Sequence, residues 1–172
     1  SIEPLLMSLY EFKARIGGSI FLDEVLKSSE VLYEMDCREA RSLEAWDYVD
    51  LAEDFLKYAE GAASRGELRP AIDEAYNAIE LCIKALILIK GKELARSHGG
   101  IVQQFGRLFV LTGEVEREVG KEIRRALITR NRARYDPRAE VRDEDASRVL
   151  SIAKRLVAKA RATVTGQRPG AK

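Results

Sequence analysis

Apolar side chains recur at intervals of three or four residues over most of the chain, and this spacing predicts helices. The first long stretch, residues 39–63, carries one apolar stripe and ends near Gly66. The second, residues 69–90, has Pro70 in its first turn, where a missing amide is tolerated. Its latter half is apolar nearly all round, which predicts a helix at the centre of a bundle or one shared with a partner subunit.

Three more helical stretches follow, at residues 101–111, 116–134 and 143–164. Gly113 is the expected stop of the first, and Asp143 is the expected N-cap of the last. The connections between the long helices are short, which favours antiparallel neighbours. The sequence therefore predicts an all-α fold, an up-and-down antiparallel bundle of four to five helices.

The beginning of the chain fits this bundle less easily. Its apolar residues predict two short helices, near residues 5–12 and 21–26, and a short strand at residues 31–33. A single strand has no obvious partner in a helical protein. The predicted organisation is a small N-terminal appendage at residues 1–37, a bundle at residues 38–165 and a disordered polar tail at residues 166–172.

Charge is distributed unevenly along the chain. The totals nearly cancel, with 29 basic and 28 acidic residues, and so give no global bias toward nucleic acid. Residues 1–60, however, carry 14 acidic and 6 basic side chains, whereas residues 61–172 carry 14 acidic and 23 basic ones. A polyanionic partner is therefore expected to meet the second half of the chain.

Two further observations bear on location. The longest apolar run, residues 79–89, is interrupted by charge and is shorter than the ~20 residues of a membrane span. The N-terminus lacks a basic region followed by an apolar stretch, so we expect a cytoplasmic protein with no membrane partner.

Cys37 and Cys82 have no partners at ligand spacing, which predicts reduced, structural thiols and no metal site.

A series of short motifs runs through the predicted bundle. In order they are Ala75-Tyr76-Asn77-Ala78-Ile79-Glu80, Lys84-Ala85-Leu86, Ser97-His98-Gly99-Gly100-Ile101, Phe105, Phe109-Val110, Gly113, Arg130 and Tyr135-Asp136-Pro137. Over about residues 40–164 this series resembles an uncharacterised prokaryotic branch of the HEPN superfamily. The resemblance implies a helical bundle that forms a homodimer and is encoded beside a minimal nucleotidyltransferase, as a toxin and antitoxin pair.

The N-terminal appendage has a resemblance of its own. Residues 7–12, 20–26 and 31–34 are similar to the C-terminal tail of small nucleotidyltransferases of this partner type. The spaced Asp-x-Asp carboxylates that would hold magnesium for nucleotidyl transfer do not follow Gly18-Ser19. We therefore expect no transferase activity from this chain.

Many HEPN toxins are metal-independent ribonucleases, and the resemblance points to their motif. That motif is an Arg, often followed by a polar residue, and then a His after four to six intervening positions. Arg130 and Asn131 match the opening, but the positions open to the His hold Tyr135, Asp136 and Pro137. The motif is broken at its proton-transferring residue, and no cofactor is implied.

Three residues remain as tentative catalytic candidates. Arg130 can supply a cation for a phosphorane, or it can satisfy carbonyls at a helix end or pair with Asp136. Tyr135 is a poor general base, with a reference pKa near ~10, and is more readily a packed ring with a bonded hydroxyl. His98 can be a solvated loop residue or a helix N-terminal group, or it can converge with Arg130, within one chain or across a dimer.

The region around Arg130 is rich in arginine. The window holds Arg124, Arg125, Arg130, Arg132, Arg134, Arg138 and Arg142. Guanidinium forks suit phosphate, although a solvated basic face is an equally good interpretation. The candidate binding residues are Arg130, Asn131, Arg132, Arg134 and Asp136.

Tyr135 has one more possible role. The resemblance implies that a partner nucleotidyltransferase attaches AMP to a toxin tyrosine close to the His, and Tyr135 lies near the matching place. The usual acceptor follows the His, whereas Tyr135 stands at the position of the His itself.

The missing His decides between two functional hypotheses. The first is a HEPN-like module of a toxin–antitoxin type pair that binds a nucleotide, an RNA phosphate or a nucleotidyltransferase partner without catalysis. The second is a divergent metal-independent ribonuclease toxin that uses Arg130 with Tyr135 or His98. We favour the first, because the proton-transferring group of the motif is replaced.

Overall fold

The computed structural model describes Phe12, residues 15–28 and residues 36–166, and the chain divides into two units after Met35. In the first unit, α1 covers Ile20–Ser28, and the amide of Gly17 donates to the Asp23 carboxylate at 3.0 Å. Three predictions lie outside the described residues, namely the strand at 31–33, the helix at 5–12 except Phe12, and the tail after Gly166.

The second unit is a helical bundle. Its elements are α2 (Cys37–Ser64), α3 (Leu68–Ile89), α4 (His98–Phe105), a π-helical turn (Gly106–Val110), α5 (Arg117–Tyr135) and α6 (Asp143–Thr165). All secondary structure in the described part of the chain is helical, which confirms the predicted all-α bundle. Four of the five predicted helices of the bundle have ends within two residues of those observed.

Helix α3 lies at the centre of this bundle. Its side chains from Ala71 to Leu88 are mostly buried, and α2, α5 and α6 all pack against it. The side of α2 that faces the core carries small residues, including Ala45, Ala52 and Ala59, which let the two long helices approach closely. The apolar latter half of α3 is therefore satisfied within one chain.

The turn between α2 and α3 is built on Gly66. Its φ is +73°, a conformation that is strained for residues with a Cβ, and the amides of Arg65 and Glu67 close the end of α2 on the carbonyl of Ala62. Gly113, with a φ of +81°, serves the same purpose in the loop before α5. Both glycines lie where the sequence predicts a helix to stop.

The helix predicted at residues 101–111 differs from the one observed. Ser97 caps the helix three residues earlier, by accepting from the amide of Gly100 at 3.1 Å. After Phe105 the backbone widens into a π-helical turn, across which the rings of Phe105 and Phe109 stack with centroids 4.9 Å apart. Both rings are buried, so the wide turn brings two large side chains into the core together.

The start of α6 also corrects a prediction. Arg142, rather than Asp143, is the N-cap residue, because its backbone is extended, with φ −111° and ψ 157°. Its amide donates to the carboxylate of Asp145 at 3.3 Å. Asp143 instead lies in the first turn, where a negative charge stabilises the helix dipole.

The other end of α6 is joined to α2 by charge. Nε of Arg161 donates to Glu53 at 2.8 Å, and Nη2 of Arg161 donates to Asp50. The same guanidinium lies 5.0 Å from the ring of Trp46. These contacts hold α6 along α2 near the end of α6.

None of the described helices is long and apolar enough to cross a membrane.

The packing predicts different reactivity for the two thiols. Burial raises the pKa of Cys82 to about 12, so its nucleophilic thiolate is scarce at neutral pH, whereas Cys37 is exposed. We expect one thiol per folded chain to react rapidly with a chromogenic disulfide reagent at pH 8, and the second to react only in denaturant. C37S should abolish the fast phase. Equal rates for both thiols in folded protein would contradict this packing.

Candidate functional site

One line of polar side chains runs along the buried central helix α3. Asp73, Asn77, Glu80 and Lys84 recur at intervals of three or four residues on α3, and Tyr76 lies beside them. We call these five residues the polar track. Because α3 is otherwise enclosed by apolar contacts, each charge on the track requires a partner from another helix or from its own.

Arg130 of α5 is bound at one end of the polar track. Its residue is only 5% exposed, and its Nε donates to Oδ1 of Asp73 at 2.8 Å. Its Nη1 donates to the side-chain oxygen of Asn131 at 3.2 Å and lies 3.5 Å from the hydroxyl of Tyr135. The guanidinium is thus held by side chains of its own bundle, and it does not pair with Asp136.

Two tyrosine rings enclose this guanidinium. The Arg130 Cζ lies 5.7 Å from the ring centroid of Tyr76 and 5.6 Å from that of Tyr135. Burial, and then the nearby charge of Glu80, raise the pKa of Tyr76 far above its usual value, so its hydroxyl stays protonated. That hydroxyl is close to Glu80 but has no acceptor at hydrogen-bonding geometry in the described part of the chain.

Two further arginines complete this end of the site. Nη1 of Arg134 donates to the second oxygen of Asp73, so one carboxylate binds two guanidinium groups. Arg69, in the first turn of α3, donates to the backbone carbonyls of Ala133, Asp136 and Ala139. Arg69 therefore satisfies one carbonyl in the last turn of α5 and two in the turn that follows, and this is a role for which Arg130 was one sequence candidate.

The other end of the polar track holds Glu80, a carboxylate that is only 7% exposed. One of its oxygens pairs with Nζ of Lys84 at 3.0 Å, and the other contacts Nδ1 of His98. A proton on Nδ1 would leave Nε2 as the unprotonated nitrogen of the neutral ring. The His98 side chain is 57% exposed. His98 is also the first residue of α4, so its contact with Glu80 connects the start of α4 to the central helix.

The two catalytic candidates on different helices therefore bind different carboxylates. Arg130 binds Asp73 and His98 binds Glu80, seven residues further along α3. Seven residues of α-helix span about 10 Å. Tyr76 lies between the two carboxylates on the polar track. The side chains of Arg130 and His98 thus both pair with carboxylates of α3, without direct contact between the two.

The remaining basic residues lie on the solvent side of α5. We call the exposed residues Arg117, Lys121, Arg124, Arg125, Ile128, Arg132 and Tyr135 the basic face of α5. In the described part of the chain, the side chains of Arg124 and Arg132 make no ion pair, and Arg125 is 3.6 Å from Glu118. Ile128 is 62% exposed and Tyr135 is 68% exposed, so apolar groups accompany the charges.

The other residues of the arginine-rich window are outside this face. Arg138 follows α5, and its amide donates to the carboxylate of Asp136 at 2.9 Å. Arg142 lies 3.5 Å from Glu140 at the start of α6. Of the five candidate binding residues, Arg130, Asn131 and Arg134 take part in the contacts around Asp73, Asp136 caps the turn after α5, and Arg132 alone is free of such contacts.

Sequence reasoning did not identify Asp73, Tyr76 or Glu80 as site residues. The available signal was the presence of acidic side chains seven residues apart in a strongly apolar helix, since a buried carboxylate needs a partner. Among the described residues, no group of His, Cys, Asp and Glu is arranged to hold a metal ion.

The contacts of Asp73 predict a large stability effect. D73N keeps the shape of the side chain but leaves the buried guanidinium of Arg130 without its counter-charge. We expect the free energy of unfolding in urea to fall by roughly 3 kcal/mol. The matched control is E140Q, since the exposed pair of Glu140 with Arg142 is expected to contribute little. Equal unfolding midpoints for the two variants would show that Asp73 does not stabilise the fold.

The comparisons with known proteins agree with this architecture. A candidate toxin of Methanocaldococcus jannaschii is 29% identical over 116 residues, which cover 67% of this chain and 77% of that protein. A UPF0332 protein of Pyrococcus horikoshii is 35% identical over 74 residues, covering 43% of this chain and 51% of the relative. A UPF0332 protein of Thermotoga maritima is 33% identical over 78 residues, covering 45% and 58%. The chain thus spans little more than half the length of the two UPF0332 relatives.

The family model for the HEPN domain matches residues 45–162. This range begins in α2, includes the polar track and both of its arginine partners on α5, and ends in the last turns of α6. The match covers well over half of the chain, and the all-α bundle is the fold expected from it. The chain therefore belongs to the HEPN domain family.

Proposed function

We propose that this chain is the HEPN module of a toxin–antitoxin type pair, and that it binds RNA or nucleotide phosphate through the basic face of α5 without catalysis of its own. One relative is named as a candidate toxin, which supports the first part of the proposal. The second part rests on the distribution of the arginines between the buried site and the surface.

A single observation carries the proposal, namely the burial of Arg130 against Asp73. A guanidinium that is 5% exposed and bound to a carboxylate cannot approach a phosphate without breaking that pair. Arg124 and Arg132, by contrast, are exposed and make no ion pair in the described part of the chain. The basic face of α5 therefore suits phosphate binding better than Arg130, the residue that matches the ribonuclease motif.

The apolar members of the basic face suit a single-stranded nucleic acid. The Tyr135 ring has Arg130 and Arg134 within 6 Å of its centroid, yet most of its surface is open to solvent. Bases stack on exposed aromatic rings, with about 1–3 kcal/mol per base in known single-strand binders. We propose that Tyr135 stacks a base while Arg124 and Arg132 bind neighbouring phosphates.

The partner in this proposal is a minimal nucleotidyltransferase. An exposed Tyr135 is accessible to such an enzyme, and the cations around it suit the phosphates of a nucleotide. Adenylylation at Tyr135 would add negative charge to the basic face and would weaken RNA binding there.

RNA binding provides the direct test. We expect R124Q/R132Q to bind a fluorescent single-stranded oligonucleotide more weakly, and to lose about 1.4 from the slope of log K against log salt if each arginine contacts one phosphate. The control is R148Q/R155Q on α6, which removes the same charge from another surface. An equal loss in both variants would mean that the binding is unspecific attraction, and no loss in R124Q/R132Q would refute the proposed face.

The alternative is a divergent ribonuclease that uses Arg130 with Tyr135 or His98. The contact between His98 and Glu80 favours it, because a carboxylate that orients an imidazole is common in proton transfer. If the non-catalytic proposal is correct, RNA incubated with the wild-type protein stays intact on a denaturing gel. Cleavage by the wild type that H98Q or Y135F abolishes would establish the enzyme instead. Arg130 is unsuitable for this test, since we expect its substitution to disturb the fold by leaving Asp73 without its buried partner.

A further inference from the structure

The pair of His98 with Glu80 has no part in the function proposed above. Glu80 also pairs with Lys84, and an ionised carboxylate only accepts hydrogen bonds, so the Nδ1 that contacts it carries the proton of the neutral imidazole. The other ring nitrogen, Nε2, then has a free lone pair. Within the described residues Nε2 has no hydrogen-bond partner, and more than half of the side chain is exposed.

The backbone beside His98 is closely built on one side and open on the other. Ser97 caps α4 over Gly100, where a Cβ would lie only 2.9 Å from the Ser97 Oγ, so this cap requires glycine. At Gly99, by contrast, a Cβ would meet nothing within 4 Å. The cap and the contact with Glu80 therefore hold the imidazole in place, while the first turn of α4 has space for an added group.

A neutral imidazole in this arrangement is a nucleophile. When Nε2 forms a new bond, the ring becomes positive, and the Glu80 carboxylate at Nδ1 is placed to stabilise that charge. No acid lies at hydrogen-bonding distance of Nε2 in the described part of the chain, so the leaving group has to depart without receiving a proton. A carboxylate is such a leaving group, because it is stable as an anion at neutral pH.

The position of His98 favours a transferred group that is an anion. His98 is the first residue of α4, and the start of a helix stabilises negative charge, phosphate in particular. A phosphoryl group on Nε2 would lie near this helix end, whereas an acyl group would gain nothing from it. Together with the choice of leaving group, this indicates an acyl phosphate as the donor.

We propose that His98 is a phosphoryl-acceptor residue, and that its Nε2 takes the phosphoryl group of a small acyl phosphate while Glu80 holds Nδ1. The lone pair of Nε2 forms the bond to phosphorus, and the bond from phosphorus to the acyl oxygen breaks. The electron pair of that bond leaves with the carboxylate product. Nδ1 keeps its proton, and the ring's positive charge faces Glu80. This site goes beyond the RNA binding proposed above and does not depend on it.

Acetyl phosphate is the probe for this site. After incubation with the full chain, we expect the intact mass to rise by one phosphoryl group, which brief acid treatment removes because phosphoimidazoles are labile in acid. Phosphorus NMR should assign the group to Nε2. His98 is the only histidine of the sequence, so H98Q should give no acid-labile phosphate. Absence of the adduct from the wild type, its persistence in H98Q, attachment at Nδ1, or acetylation of the ring in its place would each overturn the proposal.

The rate of phosphorylation tests the role of Glu80. E80Q can still accept a hydrogen bond from Nδ1 but lacks the charge, and we expect the rate to fall by roughly tenfold or more. The matched control is E74Q, which removes a carboxylate of the same helix that accepts from Asn77 at 3.2 Å, and its rate should equal that of the wild type. Equal rates for E80Q and E74Q, or a wild type that reacts no faster than N-acetylhistidine, would overturn the site.

A second variant keeps the test valid if E80Q does not fold. K84Q leaves the Glu80 carboxylate intact and removes the cation that shares its charge, at 3.0 Å. The Lys84 side chain is partly exposed, so we expect K84Q to fold, which circular dichroism checks. We expect it to be phosphorylated at least as fast as the wild type, since more of the negative charge of Glu80 then acts on the imidazole. Slower phosphorylation of folded K84Q would contradict the proposed part of Glu80.

Discussion

The bundle depends on the need to neutralise the charges on its central helix. Helix α3 is enclosed on most sides, yet two of its carboxylates, those of Asp73 and Glu80, are largely removed from solvent. Isolated charges in such a place would destabilise the fold by several kcal/mol each. Each carboxylate therefore has partners: α5 supplies the cations Arg130 and Arg134 to Asp73, whereas Glu80 pairs with Lys84 of its own helix and contacts the Nδ1 of His98 at the start of α4. These pairs, together with the apolar residues that α4 and α5 bury in the core, hold both helices on the central helix.

The same constraint fixes the surroundings of Arg130, the residue that matches the arginine of the ribonuclease motif. In a site that cleaves RNA, the cation must remain free to meet the developing charge of the phosphorane. Arg130 is held by Asp73 and lies between two tyrosine rings, and the carboxylate that it binds is seven residues along α3 from the one that contacts His98. Tyr135, at the position where the motif has its histidine, places its ring 5.6 Å from this guanidinium.

The fold was largely predictable from local pattern, because apolar periodicity and glycine stops are properties of neighbouring residues. The central position of α3 followed from its apolar circumference, and the turns at Gly66 and Gly113 followed from their glycines. The site was predictable only in part. Arg130 was identified, but its partner lies 57 residues away on another helix, and no local signal encodes that pairing. The π-helical turn was not predicted for a similar reason, since its geometry depends on the packing of Phe105 and Phe109 in the core.

The contacts of Arg69 join parts of the chain that are far apart in sequence, and this bears on the order in which the structure forms. This side chain holds three carbonyls that lie 64, 67 and 70 residues further along the chain. Helices α2 and α3 can form and pair early, since their contacts are close in sequence, whereas the turn after α5 has only short-range hydrogen bonds until Arg69 reaches it. That turn becomes ordered only when α5 has docked, so the shape of the segment entering α6 is a late product of folding and is the first to loosen when the bundle opens.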